Sequence, residues 1–530
     1  MKKVLGYTNA WSVAPGDELE VKVSTYGPST YRADLVRVIC GDDDPDHGIY
    51  REEMIDAPFA GEYAGRTQEM AAGSYVAVPA SDRLGTLASF TVQVWVLPTT
   101  PARGEQGLVA HWDEESERGF ALFVDGNGAA ALRVGDGTGT STVVACDRPL
   151  AARRWHLVAA SYDATTGEVE LCQDFLGSPF EADSSASAHG KGVFRPATGA
   201  LLMAALPARP GTSGRPGARH YFNGKLDRPR LAGRVLSRNE REALAWDATP
   251  QEREPALVAT WDFSRDIGSR LVSDAGFNGL HGMTVNVPSR GVKGFNWSGN
   301  EQNWQHAPQE YGAIHFHEDD HYDAGWETDF TYTVPDDLKS GVYAVRLQAD
   351  DDESFGTFFV RPPRGTATSK LAFLASTVTY MAYANYQWHL HEYFAEVTDL
   401  SWTPIGKNDV FLQEHPETGL STYDTHLDGS GVRYASRLRP VINTAPKTSL
   451  EGYNLNLDTL VLGWLETCGI DYDVITDEDL HHEGLTLLER YSAVVTGAHP
   501  EYFTTPMWDG LRSYIARSGR LAYLGGNGFI

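Results

Sequence analysis

The spacing of apolar residues changes character near Lys370, and that change rules out one uniform fold for the whole chain. Before it, short runs alternate with a period of two and are broken by glycine turns. After it, brief apolar runs alternate with stripes spaced three and four residues apart. Ser89-Phe90-Thr91-Val92-Gln93-Val94-Trp95-Val96 is the clearest run of the first kind, with Phe90, Val92, Val94 and Val96 on one face. Runs at 119–124, 155–162 and 167–171 follow, separated by Asp125-Gly126-Asn127-Gly128 and Asp163-Ala164-Thr165-Thr166-Gly167, which are turn chemistry. Strands at such regular spacing predict a β-sandwich. With 530 residues, 42% of them hydrophobic, the chain can bury several cores.

The later pattern predicts alternating strands and helices. Leu371–Ala375, Tyr472–Ile475, Ser492–Thr496 and Leu521–Leu524 read as strands. Leu457, Leu460, Val461, Trp464, Leu465 and Cys468 form the stripe of a helix closed by Gly469. A second helix is expected with Thr505 as its cap, Pro506 at its first position, Met507, Leu511, Tyr514 and Ile515 facing inward, and Gly519 as its stop. This is the signature of a parallel, doubly wound α/β sheet, whose ligands sit at the carboxyl ends of the strands. Gly497 to Tyr502 and Gly525 to Phe529 occupy that position. The expected organisation is multidomain: a β-rich segment over 1–68, a jelly roll over 69–250, a β-sandwich segment over 251–365 and an α/β catalytic domain over 366–530. The flanking β segments are expected to complete one second sandwich around the jelly roll, with Arg361-Pro362-Pro363-Arg364-Gly365 as linker. Because the chain stops at Ile530 just past a strand, it is expected to be a fragment of a longer polypeptide.

Forty-four Lys and Arg against 71 Asp and Glu leave a formal charge of −27, which repels polyphosphate and argues against a nucleic-acid partner. No run approaches the ~18 apolar residues of a membrane span, and the first residues lack a signal-peptide core, so the expected location is cytoplasmic, with no membrane partner. Cys40, Cys146, Cys172 and Cys468 have no metal-binding spacing, and Cys468 falls on a helical stripe rather than a strand-to-helix turn.

His315-Phe316-His317-Glu318-Asp319-Asp320-His321 is the most metal-like run, but two histidines on a strand need ligands from elsewhere, so it reads first as a polar strand and turn at a domain junction. His389-Leu390-His391-Glu392 is a weaker version, and His481-His482-Glu483 reads as a solvated helix face. The serine-elbow, zincin, phosphate-loop and dinucleotide-loop patterns are all missing. What gathers at the strand ends is oxygen: Tyr380 and Tyr383, Tyr423, and Glu501 with His499 beside it. Single tyrosines are usually structural. Two tyrosinates and a glutamate together, however, supply three negative hard donors, which select a trivalent ion such as Fe³⁺ and permit Lewis-acid hydrolysis.

Two resemblances follow from these motifs. Phe90–Val96, Trp155–Val158, Phe222-Asn223-Gly224-Lys225-Leu226-Asp227 and a capping box from Ser237 to Glu240 resemble a laminin-G or concanavalin-like jelly roll. Tyr380-Met381-Ala382-Tyr383-Ala384-Asn385, Leu420–Asp424, Asp428–Val432 with Arg437–Pro440, His499-Pro500-Glu501-Tyr502 and Gly525–Phe529 resemble the large, catalytic subunit of N,N-dimethylformamidase. That resemblance implies a mononuclear Fe³⁺ held by two tyrosines and one glutamate. It also implies hydrolysis of a small amide substrate, N,N-dimethylformamide, to dimethylamine and formate, and a separate small accessory subunit in a hetero-oligomer of more than one copy. Carried over by motif, the metal ligands are Tyr383, Tyr423 and Glu501, with Tyr380 as the alternative to Tyr383. His499 is then a group orienting water or ligand, and Asn527 a donor near the substrate. Two rivals stand beside this reading. One is a non-catalytic glycan-binding or assembly protein built on the jelly roll. The other is a thiol hydrolase on a class I glutamine-amidotransferase-like sheet, whose nucleophile position holds Ala498-His499-Pro500-Glu501.

Overall fold

A computed structural model describes residues 2–44, 50–176, 183–209, 216–247, 256–387, 405–448 and 454–528. The run at His389 and the residue Phe529 lie outside them. Contacts divide the chain into two units: one of residues 1–71, 321–425 and 431–530, the other of 72–320 and 426–430.

The first unit joins residues from both sides of the inserted one. Glu18–Thr25 pairs antiparallel with Val4–Thr8 on one side and Phe330–Thr333 on the other. In a second sheet Thr30–Cys40 pairs with Gly341–Ala349, which pairs in turn with Asp352–Val360. The two sheets enclose one core, where Leu19, Val21 and Val23 meet Leu35, Val345 and Phe358. Arg361 is buried rather than loose, its guanidinium 2.7 Å from Asp479 and 2.6 Å from Glu483.

Four parallel strands follow, in the spatial order Asp473–Thr476, Leu371–Ala375, Ala493–Thr496 and Arg520–Ala522. Alternation along Leu371–Ala375 serves two cores, as a sheet covered on both faces requires. Phe373 and Ala375 pack with Tyr380, Leu462 and Leu465, whereas Ala372 and Leu374 pack with Leu480, Met507 and Leu511. Two local expectations shift. The helix Thr505–Ala516 is capped by Thr504, one residue earlier than the sequence suggested, and Ile515 is exposed rather than inward. On the helix Leu455–Thr467, Leu457 and Trp464 face outward, and the buried face carries Leu455, Asp458, Thr459, Leu462 and Leu465.

The inserted unit is one long antiparallel arrangement with a single large core. Phe90, Val92, Val94 and Val96 lie in that core, and Trp95 on the opposite face stacks on Phe295. The Ser237–Glu240 capping box forms as its sequence implies. Leu257–Asp262 and Ala313–Phe316 both pair with Gly224–Ala232, so the strands of 257–316 belong to this unit, and the boundary drawn near 250 moves to Asp320. Among the described residues no helix is long and apolar enough to cross a membrane.

Candidate metal centre

The centre lies where the parallel sheet ends. Leu371–Ala375 runs into the helix Thr377–Ala382, which delivers Tyr383 at its C-cap. Ala493–Thr496 runs into the turn that carries Glu501. The two are tied together by Thr379, whose hydroxyl accepts the Glu501 N–H at 3.0 Å. Gly497 is obligatory at the start of that turn, because a Cβ there would stand 2.1 Å from the Asp458 carboxylate. Asp458 itself accepts the Ala498 N–H at 2.6 Å, and burial pushes its carboxyl up to about 7.

Tyr423 arrives on a loop rather than a regular element. Thr422 donates through both its N–H and its hydroxyl to the Ala382 carbonyl, each at 3.0 Å, so the loop is hung from the end of the Tyr383 helix. The fully buried Arg439 donates to the carbonyls of Leu420 at 2.7 Å and Thr418 at 3.2 Å. Burial lowers that guanidinium to about 10. Asn385, in the left-handed region at φ 62°, accepts the Ile442 N–H at 2.9 Å, while Asn443 donates to the Tyr383 carbonyl at 2.8 Å. A polar lattice thus fixes two tyrosines that no single element could place.

Three side chains converge. The Tyr383 hydroxyl donates to Glu501 Oε2 at 2.7 Å, and the Tyr423 hydroxyl lies 3.2 Å from both Glu501 oxygens. The two phenol rings stack at 4.2 Å. Nε2 of His499 sits 3.1 Å from Glu501 Oε2, and Tyr502 hydrogen-bonds the Tyr423 hydroxyl. Tyr380 goes elsewhere: it is fully buried and hydrogen-bonds Asp458, so Tyr383 is the tyrosine that meets Glu501. Asn527 is exposed and lines a cavity of about 520 Å³ together with Glu501, Tyr502 and Trp508. Tyr502, Thr379 and Arg439 escaped the sequence reading as parts of the centre, although Tyr502 adjoins Glu501 and Arg439 lay in a motif already singled out.

Tyr383, Tyr423 and Glu501 bring three oxygen donors together. Burial, the hydrogen bonds to Tyr383 and Tyr502, and the charge of Glu501 raise the Tyr423 phenol well above its ordinary value. Ionising both phenols beside a carboxylate would need a positive charge among them, and the three oxygens are a hard-donor set that a cation such as Fe³⁺ would suit. The His315 to His321 run falls outside this set, with His315 to Asp320 in the inserted unit and His321 in the first.

Known proteins bear on this arrangement. A family described as N,N-dimethylformamidase beta subunit-like, C-terminal, matches residues 289–530, and the concanavalin A-like lectin/glucanases superfamily matches 70–240. The N,N-dimethylformamidase beta subunit of Paracoccus aminophilus is 40% identical over 99% of this chain and 71% of its own length. Its counterpart from an Alcaligenes species is 38% identical over the same shares. These matches define the class, a subunit of an amide-hydrolysing enzyme. The chain belongs to the N,N-dimethylformamidase beta-subunit family.

Proposed function

We propose that this chain carries the hydrolytic centre of a dimethylformamidase, cleaving the C–N bond of N,N-dimethylformamide to give dimethylamine and formate. The observation that carries the reading is the meeting of the Tyr383 and Tyr423 hydroxyls on one Glu501 carboxylate at the mouth of the parallel sheet. In this reading Tyr383, Tyr423 and Glu501 would hold a mononuclear Fe³⁺. Such an ion, when bound, supplies Lewis acidity that polarises an amide carbonyl and acidifies water.

The chain's own residues do the rest. His499 holds Glu501 Oε2 and fixes how the carboxylate faces the tyrosines. Tyr502 fixes the Tyr423 hydroxyl in the same way. Asn527, on the wall of the adjoining cavity, has an amide N–H₂ to donate to a small amide substrate. The printed name of the relatives, a beta subunit, favours an enzyme of more than one kind of subunit; in this reading the chain is its large, catalytic component and a separate small subunit is accessory.

Metal analysis combined with a visible spectrum tests this. Wild-type protein is expected to hold one iron per chain and to be coloured by phenolate-to-iron charge transfer. Glu501→Ala is expected to lose iron, colour and formamide hydrolysis together. A colourless, iron-free wild type that still hydrolyses formamides overturns the proposal.

A further inference from the structure

We propose that His315, His317 and Asp428, in the inserted unit, form a second metal site, built for a divalent first-row cation of the zinc class. The sequence shows only half of it. His315 and His317 share the strand and its exit, while Asp428 comes from residues 426–430, more than a hundred positions later, which belong to the same unit. That short segment is shaped locally: the Gly429 N–H donates to the His426 carbonyl at 2.8 Å, and the His426 N–H to the Ser430 carbonyl at 2.8 Å.

The donor atoms all lie within 4.8 Å of one another, close enough to share one ion. Asp428 Oδ2 lies 3.1 Å from His315 Nε2 and 3.6 Å from His317 Nε2. Ligands at ~2.0 Å from a tetrahedral ion stand about 3.3 Å apart. Ser430 Oγ, 3.0 Å from His317 Nε2, stands beside them. The group is largely enclosed: the side chains of Asp428 and His317 are 1% and 2% exposed and that of His315 is 12% exposed. Two imidazoles and a carboxylate are three of the four ligands that a tetrahedral ion of the zinc class takes, with the fourth position left to water or Ser430 Oγ.

Proton accounting points the same way. Asp428 Oδ1 is occupied by the Ser430 N–H at 2.8 Å and the Ser430 hydroxyl at 2.5 Å, which leaves Oδ2 turned to the imidazoles. His317 Nδ1 faces Asp320 Oδ2 at 3.3 Å, and that oxygen is fixed by the Ser74 hydroxyl and the His317 N–H. A carboxylate behind the imidazole is the usual partner of a metal-bound histidine, because it holds the proton on the far nitrogen. His317 Nε2 then offers a lone pair to two oxygens that have no proton for it, one of them a carboxylate and the other a hydroxyl already donating. His317 Nε2, His315 Nε2 and Asp428 Oδ2 thus face one another, an arrangement that a shared cation would satisfy.

The full chain provides the test. Purified protein is incubated with zinc chloride, desalted and assayed for all metals, with X-ray absorption at the zinc edge. The expected result is one zinc per chain in addition to any iron, with nitrogen and oxygen neighbours at ~2.0 Å. His317→Gln and Asp428→Asn are each expected to retain at least tenfold less zinc with unchanged iron, and His315→Gln serves if either folds poorly by circular dichroism. Wild-type protein that retains no zinc, or variants that retain as much as wild type, overturns the site whatever becomes of the iron centre.

Discussion

Tyr380 and Tyr383 are three residues apart, and the end of a helix between them separates their roles. Tyr380 is inside Thr377–Ala382 and turns into the core, where Asp458 receives its hydroxyl, whereas Tyr383 at the C-cap escapes that face and reaches Glu501. Tyr383→Phe is therefore expected to abolish the iron band and reduce bound iron at least tenfold. Tyr380→Phe should keep both and instead lower stability by about 1–3 kcal/mol, because it leaves the buried Asp458 without its hydroxyl partner. Equal bleaching of the two variants counts against the assignment. Gly497→Ala sets a methyl against the Asp458 carboxylate, and a loss of about 1–3 kcal/mol in a urea titration is expected. The sequence could locate Glu501, because an acid after a β-branched run in an α/β pattern falls at a strand end. It could not choose between the tyrosines, because the position where a helix unwinds depends on the Asn385 and Asn443 hydrogen bonds, made with residues far along the chain.

At the scale of elements, strands were more legible than helix faces. A period of two admits only two faces, so finding Phe90, Val92, Val94 and Val96 together fixed their common side. The helix Leu455–Thr467 is apolar on more than one side, and counting apolar residues set the stripe off centre: Leu465 is buried and Val461 packs on the core, but Leu457, Trp464 and Cys468 are exposed. Its buried side is selected by polar contacts: Asp458 with Tyr380 and Ala498, Thr459 with the Gly41 N–H at 2.8 Å, and Asn456 with Thr448 at 2.8 Å. Paired substitutions read this orientation directly. Leu462→Ala, 1% exposed, should cost about 2–5 kcal/mol, whereas Trp464→Ser, at 60% exposed, should stay within about 0.5 kcal/mol. The reverse order would show that the helix is turned the other way. The second metal cluster was half legible for a related reason: the histidines announce themselves, but their partner Asp428 sits in a loop with no periodic signal.

For the whole molecule, the acidity that argues against polyphosphate partners also shapes stability, since some of its carboxyls are buried deep in the fold. Burial raises Asp227 in the inserted unit to about 6, and Asp458 and Asp477 in the other unit to about 7 and about 8. Each binds its proton more tightly folded than unfolded, where the ordinary value is 3.8. Their stabilising contribution is complete below that value and is lost as pH rises through the folded one. Asp477 isolates the effect, because its Oδ2 accepts the Val378 N–H at 3.0 Å and an asparagine oxygen can keep that bond. Calorimetric melting from pH 5 to pH 9 should therefore show wild-type Tm falling above pH 6.5, where the buried histidines no longer oppose the carboxyls. Asp477→Asn should fall less steeply and be more stable than wild type at pH 9, with the advantage shrinking toward pH 5. Buried His111, His156 and His315, held at about 4 against an ordinary 6.5, gain stability as pH rises to that value and oppose the slope below it, whereas carboxyls held below their ordinary values, such as Asp428 and Asp319, are ionised throughout. A variant whose Tm runs parallel to wild type would show that Asp477 ionises in the fold as freely as in the unfolded chain.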